Sequence, residues 1–337
     1  MESEIIFVGL GDFGCRILSK IEQQNHNIAS FCYLSNNVND FPKSTTGEKL
    51  EIVLNIGGKL SPAHIRGIVL SQLEALSSKF KTSKLVIIVS SADGDLGSAL
   101  LPYLSNICSN NNVKCLSILS MPFSFEKQKH FNAGLTLRHS KQYSDGIILI
   151  NKDEIFNAFP QIPIVQAYDF VDDKIAFSIS SLLGPNDYGD INLHNLFEIT
   201  ERNNFSVLSI GESKNTSNNS DIAVKGALKM LSKTANPSSA DRVLLFLNSG
   251  QQLSTSDVAS SINSVRGLIG KKLSHFTHGY KTSDSIQTTA IVLSSGFQST
   301  IFDDYDPLST LLAGKEIDDD LECNLDVDIG IDTISEA

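Results

Sequence analysis

The stretch from Val86 to Glu126 constrains this chain most, because it spells a buried strand, a glycine loop, a helix and a second buried strand in direct succession. Leu85 to Val89 is an apolar, β-branched run closed by Ser90 and Ser91. The loop Asp93-Gly94-Asp95-Leu96-Gly97-Ser98 follows, and Leu100, Leu101, Leu104 and Ile107 then fall at helical spacing. The spacing predicts one βαβ unit. Main-chain N–H groups converge where such a loop enters its helix, and α/β proteins hold phosphates at such points. A ligand is therefore expected on the Asp93 to Ser98 loop.

The N-terminus repeats the pattern. Glu4-Ile5-Ile6-Phe7-Val8 reads as a strand, Gly9-Leu10-Gly11-Asp12-Phe13-Gly14 has the form GxGxxG, and Ile17, Leu18 and Ile21 continue as a helix. A dinucleotide fingerprint also needs a carboxylate about 20 residues on, at the end of the second strand, to hold a ribose hydroxyl. The second strand, Phe31 to Leu34, ends instead in Ser35-Asn36-Asn37. A Rossmann-like dinucleotide-binding protein stays open as one alternative, for which bound NAD would be decisive.

Further strands and helices follow. Ile52 to Leu54 leads to a glycine turn at Asn55-Ile56-Gly57-Gly58-Lys59, and Ser61-Pro62 opens a helix, with proline suited to its first turn. Met121-Pro122-Phe123 closes a strand, Glu126 to Tyr143 is helical, and Gly146 to Ile150 is again a buried strand. A long helix runs from Ala167 to about Leu183, a candidate spine between two domains. Beyond the loop Gly184 to Gly189, strands are expected at Phe205 to Ile210, Arg242 to Leu247 and Thr288 to Leu293, with helices at Ile222 to Lys233 and Ser256 to Gly267. Ser213 to Ser220 is polar and reads as a loop.

Charge is distributed unevenly. From Asp303 to Ala337 there are twelve acidic residues against the single Lys315, and over the rest of the chain acids and bases balance. The acidic end is short of aromatics and reads as a disordered segment that recruits a protein partner. Neither part shows a basic nucleic-acid footprint. Five cysteines without paired spacing, apolar runs too short to span a bilayer, and no charged-then-apolar leader at Met1 suggest a cytoplasmic protein without direct membrane insertion.

On these residues the chain resembles the FtsZ and tubulin family of filament-forming GTPases. Met121-Pro122-Phe123-Ser124-Phe125-Glu126 is similar to the family's strand end that delivers a ribose-contacting Glu. The run from Ile147 through Ile191-Asn192-Leu193 to Ser209-Ile210-Gly211-Glu212-Ser213 follows the archaeal and bacterial FtsZ pattern. The resemblance covers roughly Glu4 to Ser299. It implies an α/β fold with a Rossmann-like GTPase-type N-terminal domain (1–166), a long central helix and catalytic loop (167–204), a smaller α+β C-terminal domain (205–300) and an acidic tail (301–337). It also implies head-to-tail self-association, GTP or GDP as ligand, and Mg²⁺ as a possible companion. The nucleotide-binding positions carried over are Gly11, Asp12, Gly14, Gly94, Gly97, Ser98, Glu126, Tyr168 and Asp172. Tyr168 would stack on a guanine and Asp172 would accept from its ring N–H and amino groups.

The departures from the family bear on activity. The loop GGGTGTG is replaced by Asp93-Gly94-Asp95-Leu96-Gly97-Ser98-Ala99, and Asp12 stands where the family keeps glycine. Two like charges ~5 Å apart at an effective dielectric near 20 cost about 3 kcal/mol, whereas a helix N-terminus returns roughly 0.3–2 kcal/mol. Unless Mg²⁺ or Lys59 neutralises them, these aspartates oppose a triphosphate. The family's Asn before the central helix appears as Lys152, with Asn151 one position off, and its Arg near the phosphates as His130. The hydrolytic segment NxDxxD reads Asn192-Leu193-His194-Asn195-Leu196-Phe197, so no catalytic acid is intact at the degenerate positions Asn192, His194 and Phe197, while Leu193, Leu196 and Phe197 suit a buried contact between subunits. The resulting expectation is an FtsZ-type filament or scaffold protein that has lost most GTPase activity, with an active but altered Mg²⁺-dependent GTPase as the alternative.

Overall fold

Strands alternate with helices from the first residues onward, in a computed structural model that describes residues 4–306 apart from 26, 55–61, 160, 190, 202–204, 215–218, 251, 271–272 and 284–286. β1 (Ile5–Leu10) runs into α1 (Gly11–Asn25), followed by β2 (Ser30–Ser35), β3 (Glu48–Glu51), α2 (Pro62–Val69) and α3 (Glu74–Phe80). Next come β4 (Leu85–Ser91), α4 (Asp95–Asn110), β5 (Lys114–Met121), α5 (Lys127–Tyr143), β6 (Gly146–Asn151) and α6 (Lys152–Asn157). α7 (Ile164–Leu183) leads to β7 (Tyr188–Gly189), α8 (Leu193–Thr200), β8 (Phe205–Ser213), α9 (Asn219–Thr234), β9 (Arg242–Ser249), α10 (Thr255–Ile269), β10 (His275–Thr282) and β11 (Thr288–Phe297).

All these strands join one sheet, ordered β3-β2-β1-β4-β5-β6-β8-β11-β9-β10-β7. From β3 to β8 every pairing is parallel, whereas β8–β11 and β11–β9 are antiparallel. The fold is thus a Rossmann-like parallel half joined to an α+β half. The sheet runs unbroken between them, because β6 pairs with β8 from Ile147↔Phe205 to Ile150↔Leu208.

Successive side chains of a strand point to opposite faces, and helices cover both faces, so the central strands read as continuous apolar runs. Ile88 and Leu149 pack into a core with Leu100 and Leu104 of α4, Leu137 of α5 and Leu228 of α9. Ile87 and Ile148 pack on the other face with Ile17 and Leu18 of α1 and Ile175 and Ile179 of α7. Glycine sets the helix spacing: a Cβ on Gly14 would meet the Val89 carbonyl at 2.3 Å, and one on Gly97 the Ser91 carbonyl at 2.1 Å. Gly11 opens α1 at a φ of 72°, which an L side chain resists.

Several expectations are corrected. The strand expected at Ile52 to Leu54 is Glu48–Glu51, a charged and mostly exposed edge with no apolar periodicity to mark it. β10 was not anticipated, since His275 to Thr282 mixes polar and aromatic residues on a half-buried edge. The acidic end, expected to be disordered from Asp303, begins in regular structure: Ile301–Tyr305 forms a 3₁₀ turn capped by Thr300, with Phe302 buried. The glycine turn at Asn55 to Lys59, residues 215–218 of the Ser213 to Ser220 loop, Asp190 and the tail beyond Asp306 lie outside the described residues.

Candidate functional site

The C-terminal ends of β1, β4, β5 and β6 open onto a cleft of about 360 Å³, where ligands of open α/β sheets bind. The β1–α1 junction supplies Gly11 and Asp12, and the β4–α4 loop supplies Asp93, Gly94, Asp95 and Gly97. The end of β5 adds Phe123 and Glu126, α6 adds Lys152, and α7 adds Tyr168 and Asp172. Two of the expected positions stand apart. Gly14 packs α1 onto β4, and the Ser98 hydroxyl turns back to donate to the Asp95 carbonyl at 3.2 Å.

Gly94 is the N-cap residue of α4 and offers no side-chain cap, so the first turn presents bare N–H groups toward the cleft. That is the donor set a phosphate uses. Cleft volume and donors therefore fit a nucleotide; charge fits it less well. The lining carries six carboxylates, Asp12, Asp40, Asp93, Asp95, Glu126 and Asp172, against Arg16, Lys129 and Lys152.

Most of those carboxylates are already engaged. Arg16 bridges Asp12, one helical turn away, and Asp172, which its Nε and Nη2 reach at 3.0 and 2.9 Å. Asp172 is only 4% exposed; burial raises its pKa and the Arg16 cation opposes the rise. Lys129 lies 3.2 Å from Asp93 and 2.6 Å from Glu126. Burial works to lower the Lys129 pKa, but the bond to Glu126 and the field of Asp93 carry it above its usual value. Asp93 also accepts from the Ser91 hydroxyl. Among the described residues Arg16 neutralises Asp12 and Lys129 neutralises Asp93; Lys59, to which the sequence pointed, lies outside the described residues.

The expected ribose ligand, Glu126, spends one oxygen on Lys129 and the other on the Phe123 N–H at 3.0 Å. Tyr168 stands at the mouth, 47% exposed, with its ring edge-on to Phe123 at 5.3 Å. Lys152 is 8% exposed and sits 5.1 Å over the Phe123 ring. No ion pair among the described residues reaches its ammonium, and burial lowers its pKa. Asn151 is turned away, capping α6 and donating to Thr234 at 3.0 Å. His130 is diverted too: its Nε2 lies 3.1 Å from the Phe123 carbonyl and its ring stacks on Tyr305.

Sequence reasoning missed Asp40, Arg16 and Lys129. Arg16 lies four residues after Asp12 and Lys129 three after Glu126, the spacings at which opposite charges meet on a helix, so both carried a signal. Asp40 did not. It lies in a 3₁₀ turn past β2 and is held by the Ser35 hydroxyl.

The segment expected to act on a neighbour's phosphates is at the other end of the sheet. Thr200, the last residue of α8, lies against Gly146 at the start of β6, and Glu201 pairs with Lys114 at the start of β5. The 20 residues of α7, ~30 Å of helix, separate it from its own cleft. Asn192 caps α8 by accepting from the Asn195 N–H at 3.0 Å, and His194 is exposed. Leu196 is 2% exposed, and Leu193 and Phe197 pack against the same core. Leu196 therefore belongs to the interior and not to an intersubunit contact, while Leu193 and Phe197 stay half-buried.

Residues 4–160 match the GTPase domain of the Tubulin/FtsZ family. The chain is 20% identical over 221 residues to cell division protein FtsZ 1 of Pyrococcus furiosus, covering 63% of this chain and 59% of that protein. It is 20% identical over 281 residues to FtsZ of Mycoplasmopsis pulmonis, covering 80% and 71%. Its fold is similar to FtsZ of M. jannaschii, with a TM-score of 0.75 at 16% identity over 88% of this chain and 89% of that one. It is also similar to CetZ2 of Haloferax volcanii, solved as a GTPγS-bound protofilament, with a TM-score of 0.71 at 16% identity over 94% and 100%. Residues 4–160 thus carry the GTPase domain of the Tubulin/FtsZ family, and the fold of the chain is that of FtsZ and CetZ. No helix among the described residues is long and apolar enough to cross a membrane.

Proposed function

We propose that this protein is an FtsZ-type filament or scaffold subunit that binds guanine nucleotide weakly and hydrolyses it little or not at all. The observation that carries this reading is the state of α8. In an open head-to-tail assembly that segment would cover the next subunit's cleft, and its exposed polar groups are the helix cap Asn192 and His194, with no carboxylate at positions 194 and 197. The cleft supports it. A triphosphate that reaches the open first turn of α4 meets Asp93 and Asp95, and can take the Lys129 cation only by displacing carboxylates already bound to it. GTP or GDP would be held by the first turn of α4, Tyr168 and Asp172, with phosphate held through N–H donors rather than through free cations.

The alternative of a Mg²⁺-dependent GTPase draws on Asp40 and Asp95, which line the cleft and form no ion pair among the described residues. Phosphate release measured at high protein concentration with GTP and Mg²⁺ separates the two. The proposal expects no release above the protein-free rate. Turnover that requires Mg²⁺ and disappears in Asp95→Asn would establish the alternative.

A further inference from the structure

The balanced body of this chain hides a lopsided helix layer. α5 contains Lys127, Lys129, Arg138 and Lys141 with His130 and His139, and no acidic residue. Its neighbour α4 adds one acid, Asp95, in its first turn, and α2 adds Arg66 and none. Lys127, Phe131 and Arg138 follow one another at i, i+4 and i+11, so they share one stripe, and all three are exposed. Phe131 is 54% exposed, and Phe125, just before the helix, is 67% exposed with its ring stacked on Phe123 at 5.1 Å. Two exposed phenylalanines among cations make a surface suited to an acidic, apolar segment.

The chain itself brings such a segment to this place. After β11 it crosses back to α5, where Phe302 is buried and the Tyr305 ring stacks on His130 with centroids 3.8 Å apart. A Cβ on Gly134 would lie 2.1 Å from the Tyr305 carbonyl, so the glycine is what lets the backbone touch the helix. Asp306 lies 4.0 Å from Arg138. Beyond it the sequence carries nine acids against Lys315, interleaved with Ile317, Leu321, Leu325, Val327, Ile329 and Ile331. α5 is ~25 Å long, a distance that about eight extended residues span.

We propose that the exposed stripe of α5, with Phe125 at its head, is the docking surface for residues 307–337 of the same chain. The acids face Lys127 and Arg138, and the interleaved aliphatic side chains cover Phe125 and Phe131. A tether starting at Asp306 holds the segment at an effective concentration on the order of millimolar, so a contact too weak to detect between separate molecules suffices. An outside partner of the tail then has to displace α5 first.

The full chain offers its own probes. It has no tryptophan, and its fifth cysteine, Cys323, lies in the segment at issue while the other four are buried. A bimane attached to Cys323 is quenched by tryptophan on contact. In Phe131→Trp its emission should fall severalfold relative to the labelled wild type, recover at high salt, and recover when Lys127→Glu and Arg138→Glu are added. Tyr188→Trp, on the last strand of the sheet, should leave emission unchanged. Absence of quenching in Phe131→Trp, equal quenching in Tyr188→Trp, or insensitivity to the charge reversals would overturn the proposal. Quenching that grows with protein concentration would overturn it as well, by placing the segment on a second copy.

Discussion

The two ends of α7 put similar side chains to different uses. At the cleft end, Tyr168 and Asp172 line a cavity, and four of its six carboxylates are held by Arg16 and Lys129 in pairs that a ligand would have to rearrange. At the far end, the residues after α7 cap a helix and fill the core. Groups at the first end keep a binding geometry at some cost in buried charge, while groups at the second serve packing alone. Substitutions at the far end should therefore cost folding stability without touching ligand, and those at the cleft end should do both.

The largest effect is expected at Leu196. Leu196→Ala should cost about 2–5 kcal/mol in urea unfolding, the range for emptying a core position. An unchanged midpoint with weakened self-association would return Leu196 to an interface and erase the contrast.

Arg16→Ala comes next. It leaves the buried Asp172 carboxylate without its cation and should cost about 1–3 kcal/mol near neutral pH, trimmed by the partial exposure of Arg16. The sign with pH follows from linkage. Burial raises the folded-state pKa of Asp172 above its unfolded value, so its contribution is most favourable below the unfolded value and falls as pH rises through the folded one. Without Arg16 the folded value climbs further. The deficit of the variant should be full above that value and shrink toward about pH 4, near the ordinary carboxylate range. Unfolding curves across acid and neutral pH check this, and a deficit independent of pH would mean that Arg16 acts by packing.

The smallest effect belongs to His194→Ala, which should shift stability by no more than about 0.5 kcal/mol, as for an exposed site without partners. Phosphate release should not change. A loss of release in this variant would give the far end a catalytic role.

How far the sequence reaches is seen in these residues. The strand, glycine and helix units were readable from local pattern: Gly97 lets α4 approach the Ser91 carbonyl six residues back, and Gly14 stands in a glycine motif although the Val89 carbonyl it makes room for lies on the adjacent strand β4. Asp172 was readable through its resemblance to a family position, but its pairing with Arg16 joins residues far apart in the chain and leaves no local trace. Leu196 looked like interface because helical spacing does not say which face another element covers. Phe302 and Tyr305 were masked by their acidic surroundings, although two aromatic residues three apart are enough to anchor a turn on α5.

The account stands or falls on the phosphate end of the cleft. Calorimetric titration of GTP with Mg²⁺ into wild type and Asp93→Gly measures it directly. Removing Asp93 leaves Lys129 held by Glu126 alone and clears the mouth of α4, so affinity should rise at least about tenfold, equivalent to ~1.4 kcal/mol, from a weak or undetectable starting value. Submicromolar affinity in the wild type, or no gain in Asp93→Gly, would contradict the claim that paired aspartates keep nucleotide out.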